Sequence, residues 1–412
     1  MKTEPESNTD NEKVNGYSLQ QILAKESQQI KHLHSRFTLE RISRCRTASQ
    51  GYHLVACKGD KQKAGCGHSQ MQYHSCGNRH CPNCGGLRGE EWVEARKTEL
   101  LPGAYYHCVF TLPEALNPLI MGNRRALFTL LMDASAQALI TLGKDQQWLG
   151  GTLGITSILH TWGQTLSFHP HVHCIVSGGG ITKDYDWIHP KRKNNKFLIP
   201  VGALRKVFKG RIMDGIRKLS KEGKLKTVGI DLEKVLKRIG YQKWNIYSKS
   251  PFKDAQGVVD YLGRYTHKIA ITRHRVKQIT ESEIRFAYRD YKDGDKTKEM
   301  TLSHGEFTRR FAQHILPKGF VKIRHYGYLK NQNRSERLKQ IREKLKIPQP
   351  APKVKVPTSL RLMEKYGIDI FMCPDCKTGR LERIATTYSE PKTANKLCRF
   401  WVWKDSEKHP PP

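Results

Sequence analysis

The run His169-Pro170-His171-Val172-His173, continued by Cys174-Ile175-Val176-Ser177-Gly178, leaves little freedom of fold. Side chains at i and i+2 share a face only on an extended strand, so the imidazoles of His171 and His173 can meet only there. His171 and His173 would then chelate one divalent cation. Val172 and Ile175 are expected to anchor the strand in a core behind them, with Cys174 nearer the metal side. Such pairs also occur on exposed strands with no metal, so the case depends on what lies elsewhere in the chain.

Downstream lies Asp260-Tyr261-Leu262-Gly263-Arg264-Tyr265-Thr266-His267-Lys268, after a helix-like stretch from Asp254 to Val259. Tyr261 and Tyr265, four residues apart, share one helix face. An aromatic pair at that spacing often packs a core. Here Arg264, His267 and Lys268 surround the phenols with positive charge, which favours phenolate character and would hold a phosphate.

A His-hydrophobic-His triplet followed by a tyrosine pair resembles the HUH endonuclease superfamily, and within it the two-tyrosine rolling-circle transposases of the insertion sequence ninety-one family. Three further stretches carry the resemblance: Tyr105 to Pro113 is similar to the first catalytic-domain strand, Asn78 to Cys84 to the zinc module, and Leu316 to Gly327 to the distal signature. The resemblance implies an α+β fold: an antiparallel sheet of HUH type with packed helices, preceded by a small zinc-binding module. It implies cleavage and rejoining of single-stranded DNA through a 5′-phosphotyrosine on Tyr261 or Tyr265, the second tyrosine permitting a second cut during strand transfer. It also implies Mg²⁺ or Mn²⁺ at the histidines, with a third ligand from a neighbouring strand; Gln164 is the first choice and His160 the second.

Charge points to the same partner independently. Seventy-two Lys and Arg against thirty-eight Asp and Glu give a net charge of +34, which implies a polyanion. Aromatics interleave with cations at Trp187 to Lys196, Tyr241 to Lys249 and Arg285 to Lys292, a pattern suited to single strands whose bases stack. Arg264 and Lys268 are the expected DNA contacts nearest the chemistry. No nucleotide-binding loop is seen, and rejoining through a phosphotyrosine needs no ATP.

The eleven cysteines cluster with histidines, which in a reducing compartment favours metal over disulfide. Cys81 and Cys84 form a C-x-x-C knuckle, and Cys57 and Cys66 are the best candidates to complete one zinc site, although Lys58 to Gly65 lengthen the two-residue spacing that the resemblance implies for this pair. Cys45, His53, Cys76 and His80 would make a second, with His68 a competitor for either. Cys373 and Cys376, with only Cys398 and His409 nearby, form either an incomplete site or a simple turn. One or two structural zinc ions are expected.

Four regions are expected: a polar tail at 1–16; a helical lead-in, zinc module and linking helix at 17–100; the catalytic domain at 101–340; and a proline- and lysine-rich linker with a small tail at 341–412. Neither a signal peptide nor an apolar run of membrane-spanning length is apparent, so a cytoplasmic bacterial protein without a membrane partner is expected. Open alternatives are a plasmid or phage rolling-circle replication initiator and a non-catalytic zinc-containing DNA-binding protein. A conjugative relaxase, whose tyrosines lie near the N-terminus, and a binuclear metal hydrolase fit the motifs less well.

Overall fold

The computed structural model describes residues 13–14, 17–59, 64–190, 198–248, 257, 263, 269–291, 293–352, 354, 356–388 and 401–402. A two-residue ladder of β1 (Lys13–Val14) with β2 (Tyr17–Ser18) leads into α1 (Leu19–Glu26). The Ser18 hydroxyl accepts from the Gln21 amide while the Gln21 side chain accepts from the Ser18 amide, a reciprocal cap that fixes where the helix starts. A short 3-10 turn separates α1 from α2 (Leu33–Ser43), so the helical lead-in is two packed helices. β3 (Gly51–Cys57) and β4 (Ser69–Tyr73) form an antiparallel hairpin, and α3 (Gly86–Lys97) carries the chain onward.

The centre of the molecule begins with β5 (Tyr105–Thr111), α4 (Asn117–Gly122) and α5 (Arg124–Lys144). It continues through β6 (Thr152–Trp162), β7 (Phe168–Ile181), β8 (Trp187–Ile188), α6 (Val201–Lys221), α7 (Leu232–Tyr241) and β9 (Ile246–Ser248). β10 (Val276–Ile279), β11 (Glu283–Asp290) and β12 (Lys296–Ser303) make a separate antiparallel sheet, whose Arg285 and Arg289 pair with Glu299 and Asp295. After the helix His304–Gln313, β13 (Ile323–Gly327) returns to the main sheet, giving the antiparallel order β13-β6-β7-β5-β9.

One face of that sheet buries Phe110, Val172, Cys174 and Val176 under α5 and α6, with Leu131 and Phe208 among the filling side chains. Burying this apolar face on two helices is the main stabilising term. The 21 residues of α5 are long and apolar enough to cross a membrane, by length and composition alone; most of the helix is buried in this core.

The C-terminal segment is not a free-standing tail. After the helices Arg334–Lys344 and Thr358–Tyr366, β14 (Leu381–Tyr388) pairs along β3, and β15 (Trp401–Val402) pairs with β14. The resulting order β15-β14-β3-β4 joins the two ends of the chain in one sheet. The helix Thr358–Tyr366 is tied to α3 through Tyr366 and Lys365 at Glu90 and Arg361 at Glu91.

Candidate functional site

The site is built on the β6–β7 hairpin. His171 and His173 alternate with buried Val172, and the register sets His160 of β6 directly opposite His171. A ring nitrogen from each of His160, His171 and His173 lies within 4.8 Å of the others, with His171 Nε2 and His173 Nε2 3.0 Å apart. The histidine expected as second choice thus stands where the third ligand belongs. Gln164 does not: it lies past the end of β6, where its amide donates to Tyr291 Oη at 3.1 Å. The strand ends at Trp162, with a bulge between His160 and Trp162, before Gln164 could face the cluster.

Neighbours aim these rings. His171 Nδ1 donates to the His169 carbonyl at 2.6 Å, which leaves its Nε2 without a proton in the neutral ring. His107 on β5 shares a 2.8 Å hydrogen bond with His173 Nδ1 and stacks on that ring, while Trp162 stacks on His160. Burial lowers His171 to about 4 and His173 well below its ordinary value, helped at His173 by His160. Both are therefore neutral, the form in which imidazole binds metal. Sequence alone gives His107 only a place on the strand Tyr105 to Pro113; that it faces His173 depends on the β5–β7 pairing.

Ile175 lies on the histidine face, not behind it, because it too is an even number of residues from His171; it packs with Tyr105 and Ile158 under Trp92 and Leu100. Cys174 is the residue that turns to the helix side, with its sulfur 3.3 Å from Ser157 Oγ. Tyr261, Tyr265, Arg264, His267 and Lys268 lie outside the described residues. Gly263 between the tyrosines is described: it is helical, and a side chain there would collide with Val93 of α3.

The cysteines assemble differently from their expected grouping. Cys45, Cys76, Cys81 and Cys84 converge, with Cys45 and Cys76 sulfurs 3.5 and 3.8 Å from that of Cys84. Cys57 and Cys66 join Cys373 and Cys376 instead of Cys81 and Cys84. The reason is the hairpin: Cys45 and Cys76 flank its open end and Cys57 and Cys66 its loop end, and seven extended residues separate these by about 20 Å. His53 is taken by Thr386 Oγ1 at 2.9 Å and packs on His74. His80 is buried, held down to about 3, and its Nε2 accepts from the Leu316 amide at 3.0 Å, so it fastens the module to the catalytic sheet rather than ligating metal. His68 pairs with Asp375 at 2.7 Å.

Residues 154–337 match the family described as "Putative transposase", and residues 18–112 match the "Transposase zinc-binding domain". A protein of Sinorhizobium fredii called "Putative transposase y4qJ" is 38% identical over 353 residues, 82% of this chain and 86% of its own. The "Transposase for insertion sequence element IS801" of Pseudomonas savastanoi pv. phaseolicola is 30% identical over 347 residues, 82% and 81% of the two chains. The chain belongs to the IS91 family of transposases. No solved structure matches it.

In this transposase the zinc-binding domain contains the whole Cys45, Cys76, Cys81, Cys84 cluster. Its sulfur separations suit a tetrahedral zinc thiolate, whose edges are about 3.8 Å for bonds of about 2.3 Å, and exceed any disulfide bond. The Cys76 amide points at Cys45 Sγ and the Asn78 amide at Cys76 Sγ, each offering a donor to a thiolate. Zinc held by these four cysteines would be structural, since four sulfurs leave no open position.

Proposed function

We propose that this transposase cuts and rejoins single-stranded DNA through a 5′-phosphotyrosine, with Tyr261 and Tyr265 as successive nucleophiles and His160, His171 and His173 holding Mg²⁺ or Mn²⁺. The observation that carries the reading is the convergence of three ring nitrogens on one sheet face. The 3.0 Å between His171 Nε2 and His173 Nε2 is about the spacing of adjacent ligands on an octahedral ion with bonds of about 2.1 Å. The chemistry such an ion supplies when bound is withdrawal of charge from a scissile phosphate.

The chain's own groups account for the rest. His107 fixes the ring of His173, and burial keeps the imidazoles neutral. A tyrosyl oxygen attacks phosphorus in line, the bond to the 3′ oxygen breaks, and that oxygen leaves as a hydroxyl after taking a proton. Bond energy is kept for rejoining. Gly263 supports the nucleophile assignment, because it packs on α3, whose Trp92 covers the histidine face. Arg264 and Lys268 would grip the phosphate, and a cavity of about 810 Å³ lined by Arg46, Arg79 and Arg88 extends the cationic surface beside β13.

The test is incubation with single-stranded and duplex DNA bearing element ends, with Mg²⁺ or Mn²⁺, followed by a denaturing gel. A covalent adduct is expected with wild type and with either Tyr261→Phe or Tyr265→Phe alone, and none with both. Phe keeps the ring and removes only the phenolic oxygen, so stability should hold while chemistry is lost. Peptide mapping that places DNA on any other residue overturns the mechanism. His171→Ala with His173→Ala should abolish cleavage but spare DNA affinity, which rests on phosphate contacts.

A further inference from the structure

We infer that Cys57, Cys66, Cys373 and Cys376 form a second structural zinc centre, assembled from both ends of the chain and closing the C-terminal segment onto the zinc-binding domain. The four sulfurs converge within 4.8 Å, with Cys57 and Cys376 3.8 Å apart and Cys66 and Cys373 3.6 Å apart. Those separations fit the edges of a zinc thiolate tetrahedron, about 3.8 Å, and are far too long for S–S bonds. Half the ligands lie beyond residue 112, where the match to the zinc-binding domain ends.

The surroundings are built for thiolates. Cys57 Sγ receives the Gly59 amide at 3.4 Å and Cys376 Sγ the Gly379 amide at 3.2 Å, the backbone wrapping expected of two zinc knuckles. Gly379 has no alternative: a Cβ there would sit 2.5 Å from Cys57 Sγ and 3.1 Å from Cys376 Sγ, in the space between the ligands. The same two turns are stitched by backbone bonds, Lys58 donating to the Arg380 carbonyl and Arg380 to that of Gly59. Cys373 and Cys57 are buried beside Val55 and Leu381, so the pair most protected from water comes from opposite ends of the sequence. The centre thus locks the β3–β14 pairing and, through it, the segment whose helix Thr358–Tyr366 braces α3.

The full-length protein, purified from zinc-replete cells, should carry two zinc equivalents by mass spectrometry of the metal. Cys373→Ser with Cys376→Ser should lose one, and Cys66→Ser, at an exposed ligand that disturbs little packing, should lose the same one. Wild type denatured with chelator and no reductant should present all eleven thiols. Protein refilled with cobalt should show tetrahedral thiolate absorption at both sites, reduced by half in the Cys66→Ser protein. One equivalent in wild type, two in Cys66→Ser, or missing thiols that reveal a disulfide would each overturn the inference. Because wild type alone decides the stoichiometry, an insoluble double variant does not remove the test. None of these readouts depends on strand cleavage.

Discussion

The two cysteine centres use one donor set for different tasks. In the first, Cys45 and Cys84 are 39 residues apart and the cluster is sunk among Leu39, Ile42 and the catalytic core. In the second, Cys57 and Cys376 are 319 residues apart, beside a small apolar cluster and a hydrogen bond between His68 and Asp375, whose carboxylate is mostly exposed. The junction between the first centre's module and the catalytic region is dry: buried His80 accepts from the Leu316 amide there, and near it buried His314 bonds the Leu166 carbonyl within the catalytic region. Loop closure separates them physically, since a 39-residue loop costs less entropy to close than one of over three hundred residues. A near-local centre can help its domain fold, whereas a distant one can only fasten elements already in place.

The sharpest way to break that contrast is Cys81→Ser. Metal binding in small zinc domains is worth about 10–16 kcal/mol, and losing it here should cost more than about 5 kcal/mol, unfolding the N-terminal module. Circular dichroism should show the unfolding and thermal melting the lost stability; an unchanged melting temperature would put the two centres on equal footing.

Acid probes the dry junction next. Burial, reinforced by the charge of Arg124, lowers His314 from 6.5 to about 4 despite its bond to the Leu166 carbonyl. Below about pH 6.5 the unfolded chain takes up a proton on this ring while the folded chain does not. Stability is therefore full above about pH 6.5 and falls as pH drops toward about 4, by roughly 3 kcal/mol from this ring. His314→Gln should flatten that part of the profile in denaturant melts taken from about pH 7 down to about 4. An equally steep profile would assign the acid sensitivity elsewhere.

A smaller effect is expected at α3, which lies between the histidine face and the C-terminal brace. Gly263→Ala should overpack Val93 at a cost of about 1–3 kcal/mol and slow cleavage more than it weakens DNA binding. Val93→Ala added to it should restore part of both, by a double-mutant cycle. Additivity of the two changes would mean that Gly263 does not dock there.

The smallest effect belongs to the clasp. Cys66→Ser should lower stability by about 1–2 kcal/mol, less than Cys81→Ser, because the β3–β14 ladder and the helix Thr358–Tyr366 remain. Proteolysis of the C-terminal segment should nonetheless accelerate. A drop as large as that of Cys81→Ser would erase the distinction between the centres.

The sequence by itself settled what is local. The His171-Val172-His173 triplet lies on a strand, β7, as its spacing required, and the antiparallel α+β class followed from the resemblance. His171 and His173 share a face because the strand period is two, and a C-x-x-C knuckle brings Cys81 and Cys84 together. Tertiary structure decided what depends on register and on the chain's return. His160 joined the cluster, and Gln164 did not, because β6 pairs His160 with His171 and then ends. Cys57 and Cys66 left Cys81 and Cys84 because a hairpin carried them to its far end. Cys373 and Cys376 found partners only because β14 returns to β3, a contact across more than three hundred residues that no spacing in the sequence encodes.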